Sequence, residues 1–368
     1  MRLLYIADNG FSFHNGAYYY SRPNAVNTAQ YMKYFESICF IARFSSYRET
    51  MLPIESKNKV HLVGRYDIKG LKRAMHEMQS VYDAVLVRNG LLGCFAAKYA
   101  KQLGKVLISY CGADPFEFQL SQGSIKGKLI AHYWRNLEKK KMMLGDYAHY
   151  CTRVLYERYP CRCPYLICSN VSVSTDEIIL GKRLRHIKEP HKIIKIGLIG
   201  QYNENDRKGI TTVIKAMRNL EDNYHFEVVG DGDSTRYSDI LSKYNLKERV
   251  RFLGYYSEKS KINEWLDELD IYVQPSLSEG LPRATIEAMS RGIPVVASNV
   301  CGMIDILSEE YLIKPKDDWA LAEKIRSFVE PGAMERASKV NFAKASEYEE
   351  TIRDEKLDAF YRNIVDMK

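Results

Sequence analysis

No stretch of this 368-residue chain stays apolar for the ~20 residues that a bilayer-crossing helix needs. Runs such as IGLIG and VVAS are far shorter. The amino terminus, MRLLYIADNG, has Asp8 where a secretory leader requires an unbroken apolar core. It reads as a first strand, and the chain is expected in the cytoplasm or on the inner face of the cell membrane. Paired C-x-x-C hooks are also missing. Of eight Cys, four fall close together, Cys151, Cys161, Cys163 and Cys168. Their spacing is wrong for a zinc hook and no His stands nearby at ligand spacing, which favours reduced, partly buried thiols over a metal site. There is no G-x-G-x-x-G fingerprint either. GDGDS (230–234) runs on into Thr235, Arg236 and Tyr237, which argues against NAD. No short-period repeat and no nucleic-acid-binding module can be found.

What the chain does have is length and apolar content. Its 368 residues, 46% of them hydrophobic, suit two domains with sizeable cores. The net charge of +8 and the pI near 8.8 fit an anionic substrate, a membrane surface or a nucleic acid without choosing among them. The 27 Tyr against 13 Phe are compatible with polar grooves and equally with half-buried filling.

Short, nearly continuous apolar segments alternate with helical patterns. In the first half the predicted strands are 2–7, 37–42, 59–64, 83–88 and 105–110, with helices near 24–36, 68–80 and 91–103. Strands of this type belong in parallel sheets covered on both faces, so the fold class is α/β, doubly wound. The polar segment 170–191 breaks the rhythm and reads as a linker. The pattern restarts at 192–200, a helix follows at 208–220, and strands are predicted at 225–230, 250–254, 270–276 and 294–298. The expected domains are 1–185 and 186–345. Residues 346–368 form a terminal helix whose face of Ile352, Leu357, Phe360, Tyr361 and Ile364 should pack back toward the first half.

In open α/β sheets, ligands bind beyond the carboxyl ends of the strands. Four such ends are distinctive in the second half. GQYNENDRKG (200–209) sets Arg207, Lys208 and Gly209 at a helix start, where cations beside free amides favour phosphate. GDGDS offers Gly230 and Gly232 for close backbone approach. LGYY (253–256) presents Tyr255 to a nucleobase, or simply packs. The fourth, SEGLPRATIEAMSRGIPVVAS (278–298), separates Glu279 from Glu287 by seven residues across Gly280, Leu281 and Pro282. Pro282 suits the first turn of a helix, the amides around it can meet a diphosphate, and the two carboxylates can accept hydrogen bonds from sugar hydroxyls.

These strings together resemble the retaining glycosyltransferases of family 4, which have the GT-B fold of two Rossmann-like domains. The likeness covers most of the second half, from 198–200 through 270–298 to CGMIDIL (301–307), and is loose in the first half. The resemblance implies that Glu279 (catalytic) holds the donor sugar's hydroxyls and that Glu287 binds the ribose. It also implies that Lys208 neutralises the diphosphate with the amides of Gly280 and Leu281. A positive helix end and a Lys would meet the charge that builds on the leaving group, so no metal and no cofactor is called for. Two positions depart from the family. Gln201 stands where relatives carry Arg, leaving Arg207 to substitute. Cys111 stands where they carry His in SYCGADPFEF, leaving Asp114 as the candidate for that catalytic task.

In the first half, NGFSFHNGAYYYSRPNA (9–25) is read as a ligand-facing loop, with Asn15 and Gly16 as candidates for donor phosphate or acceptor and His14 as an ordinary loop residue. The stretch 123–145 interleaves Lys126, Lys128, Arg135, Lys139, Lys140 and Lys141 with apolar residues against a single acid, Glu138. It reads either as a basic amphipathic helix that docks on an anionic membrane carrying a lipid-linked acceptor, or as a core helix with a solvated face. The expected partners are a nucleotide-sugar donor and a glycan or lipid-linked acceptor, not nucleic acid. A nucleotide-sugar epimerase and a non-catalytic sugar-nucleotide-binding subunit are the alternatives.

Overall fold

The computed structural model describes residues 1–202 and 205–366. These fall into two compact units. The first is Met1–Gln119, Ile125–Asn170 and Arg353–Lys368; the second is Leu120–Ser124 and Val171–Ile352.

The first unit is built on strands β1 (Leu3–His14), β2 (Ala17–Tyr20), β3 (Ile38–Phe44), β4 (Leu52–Pro53), β5 (Val60–Val63), β6 (Ala84–Val87), β7 (Val106–Cys111), β8 (Tyr147–Tyr150) and β9 (Tyr165–Ile167). Its helices are α1 (Arg22–Tyr31), α2 (Ile68–Glu77), α3 (Leu91–Gln102), α4 (Pro115–Ser121), α5 (Ile125–Leu144) and α6 (Arg153–Arg158). The strands form one sheet in which β5, β3, β1, β6, β7, β8 and β9 run parallel. Leu4, Ile6, Val85, Val87 and Leu107 project into a core closed by Leu71, Met75, Leu92 and Ala96 of α2 and α3.

The strand β1 runs past the expected 2–7 because the chain bends at Gly10 (φ 74°) and continues into an antiparallel hairpin with β2. Asn15 (φ 47°) and Gly16 (φ 78°) form its two-residue turn. Asn-Gly is the pair that tolerates two consecutive positive φ values, which a turn matched to the strand twist demands.

The second unit contains α7 (Glu177–Lys188), β10 (Ile194–Ile199), α8 (Ile210–Met217), β11 (Tyr224–Val229), α9 (Ser238–Lys243), β12 (Val250–Gly254), α10 (Lys259–Asp267), β13 (Ile271–Gln274), α11 (Arg283–Ser290), β14 (Val295–Ser298), α12 (Cys301–Ile304), β15 (Leu312–Ile313), α13 (Asp318–Ser327) and α14 (Ala333–Ser346). Its six strands are all parallel, in the order β12-β11-β10-β13-β14-β15. Alternate residues serve opposite faces. Ile196, Ile271, Val273 and Val296 enter one core, while Tyr272, Val295 and Ala297 enter the other. Each fully buried Val or Ile contributes about 1.5–3 kcal/mol. The order reverses between β10 and β13, and such a switch point leaves a crevice at the carboxyl ends of the two central strands.

The segment read as a linker, 170–191, holds the 12-residue helix α7, whose Arg183 is buried and donates to the carbonyls of Leu269 and Leu266. The last helix, α15 (Glu350–Asp366), rejoins the first unit. Leu357, Tyr361 and Ile364 are buried, Tyr361 OH lies 2.8 Å from His149 Nδ1, and Tyr34 OH donates to Asp358.

Candidate functional site

The loops that follow β10 and β13 build the site. The first is folded by its own acid. Asp206 (φ 42°) accepts from the amides of Ile210 and Thr211, each at 3.0 Å, and so caps α8. Gly209 (φ 75°) lets the chain lie against β13, since a Cβ there would come within 2.0 Å of the Pro275 carbonyl. The amide of Leu277 donates to the Arg207 carbonyl at 2.8 Å and ties the two loops together. One expectation is corrected here. The start of α8 offers no free amides to phosphate, because Asp206 and the Gly209 carbonyl occupy its first turn. What the loop presents is the Lys208 side chain. Asn203 and Glu204 of this loop lie outside the described residues.

Lys208 Nζ donates to Glu279 Oε1 at 2.7 Å, and the Ser276 hydroxyl donates to the same oxygen at 2.7 Å. Behind Ser276 stands a buried chain of donors. The Ile199 amide donates to Tyr272 OH, Tyr272 OH to Gln274 Oε1, and Gln274 Nε2 to Ser276 Oγ. Tyr272 and Gln274 point to one side of β13, and Ser276 follows two residues beyond its end. This network fixes the Glu279 rotamer and spans both central strands. Burial would raise the Glu279 carboxyl, but the Lys208 ammonium and its hydrogen bond, with help from Arg207 and Ser276, hold it below its ordinary value. Among the described residues, Oε2 of Glu279 has no hydrogen-bond partner, so it can accept from a ligand hydroxyl.

Glu287 lies in α11 and is half-buried. Burial pushes its carboxyl up, opposed by Lys259 and Arg283. Pro282 stands immediately before the helix and not in its first turn; its carbonyl accepts from the Thr285 and Ile286 amides. Among the described residues the amides of Gly280 and Leu281 find no acceptor. The Gly280 carbonyl lies where a Cβ on Gly302 would come within 1.9 Å, so α12 presses on this loop from behind.

Gly230 and Gly232 have a structural reason to be glycine. A Cβ on Gly230 would lie 2.0 Å from the Gly200 carbonyl, and one on Gly232 (φ 143°) 2.5 Å from the Tyr202 carbonyl. Tyr202 bridges to Gly232, and its hydroxyl donates to the Gly230 carbonyl. The two glycines thus seat the loop after β10, while Gln201 is exposed. Tyr255 follows Gly254 (φ 76°) at the end of β12 and is 59% exposed.

In the first unit two expectations change. Asp114 is buried and fully engaged. It caps α4 through the Phe116 amide (2.8 Å) and accepts from Tyr159 OH and Arg158 at 2.5 Å each. With both oxygens committed, it holds the 111–117 turn and is not a free carboxylate. Cys111 is buried beside Glu138 and Asn89, and burial raises its thiol well above the ordinary value. Asn15 and Gly16 form the exposed turn of a hairpin where an open loop was expected, and His14 stacks on Tyr47 at 4.2 Å.

The basic stretch folds as the 20-residue α5. Lys141 departs from the predicted basic face. It is fully buried, ion-paired to Glu138 at 2.6 Å and bonded to the Tyr110 carbonyl. Lys128, Lys139 and Lys140 are exposed, beside exposed Ile125 (79%), Leu129 (73%) and Tyr133 (54%). The Lys126 side chain lies outside the description. No helix among the described residues is long and apolar enough to cross a membrane.

Sequence reasoning missed the Tyr272–Gln274–Ser276 relay and the Asp206 cap. The first was visible as polar residues at every second position of DIYVQPS; the second, as an acid four residues before an apolar helix.

Residues 182–345 match the family model described as Glycosyl transferases group 1. The chain is 36% identical over 241 residues to Protein CapJ of Staphylococcus aureus, covering 64% of this chain and 60% of that protein. It is 27% identical over 157 residues to the putative colanic acid biosynthesis glycosyltransferase WcaL of Escherichia coli K12, covering 39% and 38%. The matched stretches thus span less than two thirds of these relatives. Among solved structures, Anabaena HepE in complex with UDP-glucose superposes with a TM-score of 0.68 over 100% of both chains at 15% identity. The fold is GT-B, with two Rossmann-like units.

Proposed function

We propose that this chain is a glycosyltransferase that moves a sugar from a nucleotide-diphosphate donor to a glycan or lipid-linked acceptor in the assembly of cell-envelope polysaccharide. The observation that carries the reading is the Lys208–Glu279 pair at the switch point of an all-parallel sheet. The group 1 match over 182–345 and the naming of WcaL for colanic acid biosynthesis support it. So does the UDP-glucose bound by a protein of the same fold.

In this reading the donor diphosphate lies against Lys208, Arg207 and the amides of Gly280 and Leu281. Oε2 of Glu279 accepts from the sugar's hydroxyls, and Glu287 accepts from the ribose. Tyr255 flanks the base. As the bond from the anomeric carbon to the diphosphate oxygen breaks, negative charge grows on that oxygen, and the fixed positive groups stabilise it without rearranging. The acceptor oxygen bonds to the anomeric carbon on the face the diphosphate leaves, and its proton passes to the departing phosphate oxygen. Configuration is retained, and neither a protein base nor a metal is required. The exposed Lys128, Lys139 and Lys140, with Ile125, Leu129 and Tyr133, fit an anionic membrane surface where a lipid-linked acceptor would lie.

The test is a thermal-shift screen against UDP-, GDP-, ADP- and CMP-sugars, followed by transfer assays with the stabilising donor. Ligand binding to the native state raises the melting point. Glu279→Ala should lower transfer by about 10²-fold or more. Undiminished transfer in that variant overturns the assignment, and donor binding with no transfer to any acceptor turns the reading into a sugar-nucleotide-binding subunit.

A further inference from the structure

The opposite end of β13 gathers two histidines and an aspartate that the reaction does not use. Asp270 immediately precedes β13 and is 4% exposed. His186 Nε2, in the last turn of α7, lies 3.0 Å from Asp270 Oδ1, and His191 Nδ1, in the following turn, lies 3.4 Å from the same oxygen. The three ligating atoms are all within 4.8 Å of one another. We propose that His186, His191 and Asp270 form a site for a divalent cation of the zinc type.

The hydrogen bonds around the cluster point to this. His191 Nε2 lies 2.7 Å from the His186 carbonyl, so that nitrogen carries a proton and donates. In a neutral ring the lone pair is then on Nδ1, aimed at a carboxylate oxygen. Two acceptors facing each other repel, and a cation between them removes the conflict. The outer partners are those that metal ligands need. The His186 carbonyl fixes the His191 tautomer, and the Lys195 amide donates to Asp270 Oδ2 at 2.7 Å, which orients the carboxylate. Ligands about 2.0–2.2 Å from a tetrahedral ion sit roughly 3.3 Å apart, close to the two separations seen. Two imidazoles and a carboxylate suit zinc better than magnesium or calcium. The His side chains are 25% and 24% exposed, which leaves a fourth position for water.

An ion here would join the end of α7 to the starts of β10 and β13. The four residues of β13 set it about 13 Å from the loop that bears Glu279, so it braces the unit without touching a donor. The site therefore stands or falls independently of the proposed activity.

The experiment uses the tag-free full chain, stripped with a chelator and titrated with Zn²⁺ by calorimetry, with Co²⁺ as a spectroscopic probe. One equivalent should bind and raise the melting temperature. The Co²⁺ spectrum should be that of a four-coordinate nitrogen–oxygen site without a thiolate charge-transfer band, which separates it from the Cys161 and Cys163 region. His186→Ala and His191→Ala should each weaken binding by at least about tenfold. His191 lies outside α7, and the Glu189 amide still donates to the His186 carbonyl when the His191 ring is removed. Absence of uptake overturns the proposal, as does uptake unchanged in both variants. So does a melting point that responds to pH alone, the mark of an imidazolium–carboxylate pair.

Discussion

Replacing Lys208 by Met removes an ammonium from a carboxylate that has almost no water. Glu279 is 6% exposed, and its Oε1 is bonded to Lys208 Nζ and the Ser276 hydroxyl, both at 2.7 Å. Met keeps the aliphatic stem and leaves a buried charge with one neutral donor. Breaking a fully buried pair by removing one partner costs about 3–5 kcal/mol. The Lys208 side chain is 18% exposed, which softens the loss, and about 2–3 kcal/mol is expected at neutral pH. Acidification separates the two proteins. In the native chain the Glu279 carboxyl lies below its ordinary 4.5, so its stabilisation is complete above 4.5 and is lost as pH falls through the depressed value. In K208M burial prevails and the carboxyl moves above 4.5. Lowering the pH then protonates the folded protein first and recovers stability, so the two curves converge as pH falls from neutrality. Urea unfolding of the full chain in a W134F background reads the second unit through Trp265 and Trp319. Adding E279Q to K208M should restore most of the loss, because the amide leaves no charge behind. A loss below about 1 kcal/mol, the range of exposed ion pairs, with a gap that does not change with pH would refute the reasoning.

Two further outcomes are expected. K139E/K140E should release the chain from vesicles rich in anionic phospholipid, since each Lys near such a surface contributes about 1 kcal/mol and reversal doubles the effect; unchanged co-sedimentation rules out the α5 face as the docking surface. Gly16→Val should cost about 1–2 kcal/mol, because Gly16 has φ 78° and a β-branched residue resists the left-handed region; a KM for donor or acceptor that moves beyond the lost stability would return this turn to the ligand site.

Periodicity made most of the fold legible. The continuous apolar strands and three- or four-residue helical spacing located β3, β5, β6 and β7, the start of β1, and β10 to β14 of the second unit to within a few residues, while the two-residue β15 gave no pattern. The β1–β2 hairpin escapes that pattern because the Gly- and Asn-rich 9–25 reads as a ligand-facing loop, although Asn15-Gly16 between aromatic segments is a hairpin turn first. Helix α7 escaped because its polar composition resembles a linker; Arg183 makes it a packed element, by reaching carbonyls more than 80 residues away.

The sequence alone determined that Lys208 and Glu279 fall on loops after strands and Glu287 on the helix that follows, because local pattern sets where strands stop and helices start. It could not decide which of the polar groups near them are free, since that depends on partners distant in the chain. Asp206 closes the start of α8, and Arg158 and Tyr159 consume Asp114. Glu138 draws Lys141 out of the basic face, and the Tyr272–Gln274–Ser276 relay with Lys208 holds Oε1 of Glu279. Hydrogen bonds and ion pairs act over about 3 Å, and only the folded chain brings residues separated by tens of positions that close.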